Sequence, residues 1–101
     1  MLTAILHGIV ALVSIVVETI IRLSLEFIIN WFQDREKLKN SDKDNIAFTI
    51  QEKVKNKEYK TVQGIFNKRT NEVVEAQEIH SNQLDRQIQE LHRDNELVIY
   101  E

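Results

Sequence analysis

Residues that cross-link or interrupt a chain are nearly missing from this sequence. Its 101 residues include no cysteine, no proline and two glycines. Without cysteine there is no disulfide, no thiolate nucleophile and no cysteine-based zinc or iron–sulfur site. With so few helix breakers, most of the chain is expected to form regular secondary structure.

An excess of positive charge is also lacking. The chain has 13 Lys and Arg residues against 16 Asp and Glu residues, and its formal net charge is −3. No segment is basic enough to form the phosphate-binding face that nucleic acids require, so DNA or RNA binding is not expected.

Catalytic and metal-binding patterns are equally scarce. The three histidines, His7, His80 and His92, do not have the spacing of a zinc-binding helix. Glu78, His80 and Ser81 lie too close together along one predicted strand to face each other as acid, base and nucleophile. We therefore predict a protein that is not an enzyme and has no metal or cofactor.

The first 33 residues form a long apolar run in which Glu18, Arg22 and Glu26 are the only charged residues. Read as one continuous helix, the run is about 48 Å long, which exceeds the ~30 Å hydrocarbon core of a bilayer. Residues 1–33 are therefore predicted to be an amphipathic transmembrane helix. Because Lys and Arg follow this run and none precede it, the positive-inside rule predicts a membrane protein whose carboxyl-terminal domain is cytoplasmic.

The polar residues of this run fall on one arc of a helical wheel, opposite an apolar side. Glu18 and Glu26 each lie four positions from Arg22, so that each carboxylate can reach the guanidinium. In lipid, such a stripe packs against copies of itself or lines water, which predicts a homo-oligomer. The residues predicted to form the helix interface or to line a pore are His7, Ser14, Glu18, Arg22, Glu26 and Asn30.

Three other interpretations of residues 1–33 stay open. The helix could lie flat at the membrane interface, although such helices usually carry Lys and Arg on their polar arc. It could form the core of a soluble helical oligomer. A cleaved signal peptide is the third, but the basic start and the small-residue cleavage site are missing.

Residues 34–45 are predicted to be a charged connector, and residues 46–101 a small α+β domain. Apolar residues alternate at Ile46, Phe48 and Ile50, as in a half-buried strand, and two further strand patterns follow after polar turns. A one-stripe amphipathic helix and the segment ELVIY complete the order β-β-β-α-β. The predicted fold class is thus α+β, with a long amino-terminal helix followed by an antiparallel sheet.

Basic residues cluster at the two predicted turns of this domain. They could contact an anionic ligand, a lipid headgroup or an acidic partner. They could equally be solubilising charges at strand edges. The residues concerned are Lys53, Lys55, Lys57, Lys68 and Arg69.

These observations predict a single-pass membrane protein that self-assembles through its amino-terminal helix. Such an oligomer could form a pore or channel, with the cytosolic domain acting in assembly or sensing. The alternative is a non-catalytic adaptor subunit that docks onto a larger membrane complex and binds another protein by strand addition or through its basic turn. The expected partners are therefore a second copy of the chain, the lipid bilayer and, in the alternative, that complex.

Overall fold

The computed structural model describes residues 1–12, 15–54 and 57–100. These residues form one five-stranded sheet with helices on both faces, and the strand order is β1-β4-β3-β2-β5. The elements are α1 (Leu2–Ala11), β1 (Val16–Leu23), α2 (Leu25–Gln33), α3 (Glu36–Asn40), β2 (Asn45–Val54), β3 (Glu58–Asn67), β4 (Glu72–Leu84), α4 (Arg86–Leu91) and β5 (Leu97–Tyr100).

The amino-terminal third is not a continuous helix, so the predicted long helix is wrong. Helix α1 has ten residues, and Leu12 after it is already extended, with φ −66° and ψ 133°. Strand β1 follows, with the sequence VVETIIRL. Five of its eight residues are β-branched, and such side chains fit a pleated sheet better than a helix. Ser24 then starts α2, because its Oγ accepts a hydrogen bond from the Phe27 N–H at 3.1 Å.

Within the described ranges, no helix combines the length and the apolar character needed to cross a membrane. The prediction of a single-pass, pore-forming membrane protein with a cytoplasmic carboxyl-terminal domain depended on such a helix and is wrong on this point. The physical reason is that the apolar run is divided between α1, β1 and α2.

The sheet is mixed, whereas an antiparallel sheet was predicted. Strands β2, β3, β4 and β5 pair antiparallel and occur in the order β-β-β-α-β along the chain. Strand β1 pairs parallel with β4, from Val16 opposite Gln77 to Leu23 opposite Leu84. Residues 16–23 therefore belong to the same sheet as the strands that follow residue 45.

Helix α1 covers one face of the sheet, which we call the α1 face. Ile5 of α1 packs there against Phe48 of β2 and Phe66 of β3. Gly64 lies opposite Phe48 in the β2–β3 pair. A Cβ atom at Gly64 would come within 2.8 Å of Phe48 Cζ and 2.7 Å of the Glu75 carbonyl oxygen. The missing side chain thus makes room for the Phe48 ring. The buried residues of this cluster are Ile5, Phe48, Ile50, Val62, Phe66, Val73 and Ala76.

Helices α2 and α4 cover the other face, which we call the α2/α4 face. Ile28 of α2 and Ile88 of α4 pack there with Ile79 of β4. This face also contains a row of buried polar side chains, unlike the α1 face. Its members, on β2, β3 and β4, are Thr49, Thr61, Gln63, Gln77 and Ser81.

Candidate functional site

Strand β1 is an exposed edge of the sheet. One side of the strand pairs with β4, and no strand of the described chain pairs with its other side. Its apolar side chains reach solvent: Val16 is 64% exposed, Val17 54% and Ile21 75%. An unpaired row of backbone N–H and C=O groups beside apolar side chains is a template for pairing with another strand.

The opposite edge, β5, is protected. It has only four residues, all of them partly buried. The Phe32 ring packs against Tyr100 at its end, with the ring centroids 5.5 Å apart. Short, covered edge strands are a common protection against intermolecular pairing. The contrast makes β1 the edge that is open to another chain.

Two residues of the predicted polar stripe, Glu18 and Arg22, lie together on β1. The Arg22 side chain is 61% exposed, and its Nε lies 2.5 Å from Asp85 Oδ1 at the start of α4. Glu18 is exposed and forms no ion pair with any described residue. The edge therefore carries one carboxylate and one guanidinium, four residues apart.

The other residues of that stripe are dispersed. His7 is exposed on α1 and borders a cavity of about 430 Å³ beside the β3–β4 turn. Glu26 and Asn30 are exposed on α2. Ser14 lies outside the described residues.

The predicted basic cluster is not one site. Lys57 and Lys68 lie just beyond opposite ends of β3, a strand of ten residues, which spans roughly 33 Å. Arg69 is engaged by Asp42, with Nη2 2.5 Å from Oδ2, and by Asp44, with Nε 3.5 Å from Oδ2. These carboxylates raise the pKa of Arg69, and the pKa of Asp42 is lowered by its hydrogen bonds to the Asp44 N–H and to Arg69. Lys53 lies in β2, and Lys55 is outside the described residues.

A histidine between two carboxylates lies on the α1 face, beyond the end of the apolar cluster. The His80 Nε2 atom is 2.7 Å from Glu78 Oε2, and its Nδ1 atom is 2.8 Å from Glu58 Oε1. Lys60 Nζ is 3.5 Å from the other oxygen of Glu78. The hydrogen bonds to Glu78 and Glu58 raise the pKa of His80, and the hydrogen bond from His80 lowers the pKa of Glu78.

A second histidine has the opposite environment on the α2/α4 face. The Thr49 hydroxyl lies 2.8 Å from His92 Nε2 and 2.8 Å from the Tyr100 hydroxyl. Burial lowers the pKa of His92 because it disfavours the imidazolium. Burial also raises the pKa of Tyr100.

A cleft of about 530 Å³ opens on the α2/α4 face beside the start of β1. Trp31 and Arg35 form one wall, with the guanidinium 3.9 Å from the centre of the indole ring. Arg35 Nε is hydrogen-bonded to Glu75 Oε2, and Arg35 Nη1 donates to the Trp31 carbonyl oxygen at 3.2 Å. Val16, Glu18 and Gln77 form the sheet side of the cleft.

Neither the exposed edge nor the cleft was predicted as a site from the sequence. A usable signal for the edge was the β-branched run of β1, followed by the helix-capping Ser24. For one wall of the cleft it was the i, i+4 spacing of Trp31 and Arg35. In the chain described by the structure, no group of three or more histidine and carboxylate side chains is arranged to hold a metal ion.

No protein-family model, curated protein or solved structure matches this chain.

Proposed function

We propose that this protein is a non-catalytic assembly module that forms a homodimer through the exposed edge of β1. The observation that carries the proposal is the exposure of Val16, Val17 and Ile21 on a strand that has a free backbone edge. Pairing with a second copy satisfies these backbone groups and removes the apolar side chains from water.

The charges of β1 select one register for this pairing. When two identical strands run antiparallel around Ile20, Glu18 of each lies opposite Arg22 of the other. Thr19 then lies opposite Ile21, an arrangement that covers the most exposed apolar side chain of the strand. Directly opposite pairs contribute roughly 0.2–1 kcal/mol each when their charges are opposite, and they oppose association when their charges are alike.

The resulting dimer has a continuous ten-stranded sheet and a two-fold axis perpendicular to it. Such an interface is isologous, because the same patch of each copy contacts its symmetry mate. The stripe residues Glu18 and Arg22, predicted to meet between helices, here meet between strands.

Sedimentation measurements over a range of protein concentrations test the dimer. Ile21→Lys places a charge in the centre of the interface and is expected to give a monomer at concentrations where the wild type is dimeric. The side chain is 75% exposed, so the subunit should remain folded. Ile29→Lys is the matched control, since Ile29 is 40% exposed on α2 and outside β1. It should leave the dimer intact.

Charge reversal tests the register. Glu18→Arg alone places like charges opposite each other twice in the dimer and should weaken association by about tenfold or more. Adding Arg22→Glu should restore it. A wild type that sediments as a monomer at all concentrations contradicts the dimer, and a double variant as weak as the single one contradicts the register.

A further inference from the structure

The last strand of the sheet is held by few backbone pairs. Strand β5 pairs with β2 over four positions, from Ala47 opposite Tyr100 to Ile50 opposite Leu97. On its other side, β2 pairs with β3 over its full length of ten residues. Strand β5 therefore depends more than β3 on the contacts of its side chains and of the turn before it. We call residues 92–100, which comprise this turn and β5, the strap.

A chain of three hydrogen bonds joins the strap to the middle of β2. The Tyr100 hydroxyl lies 2.8 Å from the Thr49 hydroxyl, which in turn lies 2.8 Å from His92 Nε2. The other ring nitrogen, His92 Nδ1, lies 2.9 Å from the Asn95 carbonyl oxygen. Thr49 is fully buried, so solvent cannot replace a partner that its hydroxyl loses. Both ends of the strap are thus connected to one buried residue of β2.

Only one arrangement of protons makes all three hydrogen bonds when His92 is neutral. A carbonyl oxygen can only accept, so His92 Nδ1 carries the proton and donates to Asn95. His92 Nε2 then has a lone pair and accepts from the Thr49 hydroxyl. Because this hydroxyl has a single proton, it must accept from the Tyr100 hydroxyl. The direction of every bond in the chain therefore follows from the carbonyl at its end.

Protonation of His92 breaks this arrangement. The imidazolium has an N–H group at both ring nitrogens, so Nε2 can no longer accept from Thr49. The Thr49 proton could turn toward the Tyr100 oxygen only if the Tyr100 proton turned away. One of the two hydroxyl donors loses its acceptor in either case, which destabilises the closed strap.

The surroundings of His92 do not compensate for the new positive charge. In the described structure both ring nitrogens contact uncharged groups, and burial lowers the pKa of His92 more than its hydrogen bonds to the backbone of Asn95 and Glu96 raise it. Tyr100 stays neutral because burial raises its pKa, and α2 contributes the uncharged Phe32 ring beside it. The charged residues that line the cleft around His92 are Glu52, Arg93, Asp94 and Glu96.

We propose that the strap is an acid-released cover of the sheet, in which protonation of His92 detaches β5 from β2 and uncovers the β2 edge beside Phe48 and Ile50. The closed strap requires neutral His92, whose folded-state pKa lies below the ordinary value of 6.5. Its hold is therefore complete above that value and is lost as the pH falls through the lowered pKa. Because β1 lies at the opposite edge of the sheet, the release does not depend on the proposed dimer.

Nitrogen-15 NMR of the histidine rings tests the proton arrangement in the unmodified chain. At about pH 7.5, His92 should carry its proton on Nδ1 and have a free lone pair on Nε2. The opposite tautomer, with the proton on Nε2, would overturn the proposal, because Thr49 could not then donate to the ring.

Amide hydrogen exchange, expressed as protection factors, tests the release itself. From about pH 7.5 to about pH 5, the protection of Leu97–Tyr100 should fall by about tenfold relative to that of β3. His92→Gln should abolish this pH response because its side chain does not titrate. His80→Gln is the matched control and should keep the response.

Circular dichroism establishes that both variants are folded, and the wild-type comparison of β5 with β3 needs no variant. Equal relative protection of β5 at the two pH values would overturn the proposal. So would a wild-type response in folded His92→Gln, because the titrating group would then lie elsewhere.

Discussion

The two faces of the sheet are filled by different chemistry. On the α1 face, Phe48, Phe66 and Ile5 meet in an apolar cluster, with Gly64 leaving room for a ring. On the α2/α4 face, buried threonine, glutamine and serine side chains lie among the apolar contacts. Gln63 Nε2, for example, donates to the Ile28 carbonyl oxygen of α2 at 3.2 Å.

The comparison separates two sources of stability. The stability of an apolar face depends on how completely its side chains fill the available volume, because protein interiors are packed nearly as densely as organic crystals. A face with buried polar groups depends also on whether each group finds a partner. Three buried side-chain oxygens on the α2/α4 face, from Gln63, Gln77 and Ser81, have no partner in the described structure. We therefore expect the α2/α4 face to tolerate the replacement of a buried polar side chain by an apolar one. The reverse replacement, of a buried apolar side chain by a polar one, should be destabilising.

The largest effect is expected from removing volume on the α1 face. Phe48 is fully buried, so Phe48→Ala should lower the free energy of unfolding by about 4 kcal/mol through lost transfer energy and an unfilled cavity. Urea denaturation measures the change. A loss below about 1 kcal/mol would contradict the description of this face as tightly packed.

A smaller loss is expected from adding volume at the same place. Gly64→Ala puts a methyl group against Phe48 and the Glu75 carbonyl, which should lower the free energy of unfolding by about 2 kcal/mol. Thermal and urea unfolding report it. Combining Gly64→Ala with Phe48→Leu should recover part of the loss, because the smaller side chain makes room for the added methyl group. If the losses of the two single variants simply add in the double variant, the contact with Phe48 is not the cause.

Gln63→Leu tests the polar face and should be nearly neutral. The change removes the hydrogen bond to Ile28 but also removes the unpartnered Oε1 atom. We expect a free energy of unfolding within about 1 kcal/mol of wild type. A loss above about 3 kcal/mol would mean that the glutamine is fully satisfied and that the two faces differ less than proposed.

The smallest effect is on pH dependence, where the two histidines should act in opposite directions. The folded-state pKa of His80 is raised above its ordinary value of 6.5, so its stabilising contribution is complete below that value and is lost as the pH rises through the raised pKa. The pKa of His92 is lowered, so its contribution is present above 6.5 and is lost as the pH falls through the lowered pKa.

Urea unfolding from about pH 5 to pH 9 checks these signs. His80→Gln should flatten the decline of stability on the alkaline side, and His92→Gln should flatten the decline on the acidic side. Identical profiles for the two variants would show that the environments of the histidines do not differ in the way the structure indicates.

How far the fold could be predicted depends on where the partners of each segment lie. The order β-β-β-α-β after residue 45 could be read from local alternation and polar turns, because adjacent strands β2, β3 and β4 pair with their neighbours in sequence. Strand β1 could not, since its partner β4 begins roughly fifty residues later. An apolar run of this length is long enough for one continuous helix. It is equally long enough for a helix, a strand and a second helix in succession, and its apolar character does not distinguish the two.

The candidate site follows the same rule. Glu18 and Arg22 could be identified from the sequence as candidate site residues, because charges are rare in an apolar run. That they lie on a strand could not be predicted from the sequence. The cleft was beyond sequence reasoning, since Glu18, Asp34 and Gln77 meet only through the parallel pairing of β1 with β4 and the packing of α2.

The amino-acid sequence by itself determined the composition of each segment: a mainly apolar first third, a charged connector and a β-rich remainder without cysteine or proline. It also determined the local signals, such as the Ser24 cap and the β-branched run before it. Only the tertiary structure decided that the run becomes an edge strand. The reason is that a strand acquires its hydrogen bonds from a distant segment, whereas a helix finds them within itself.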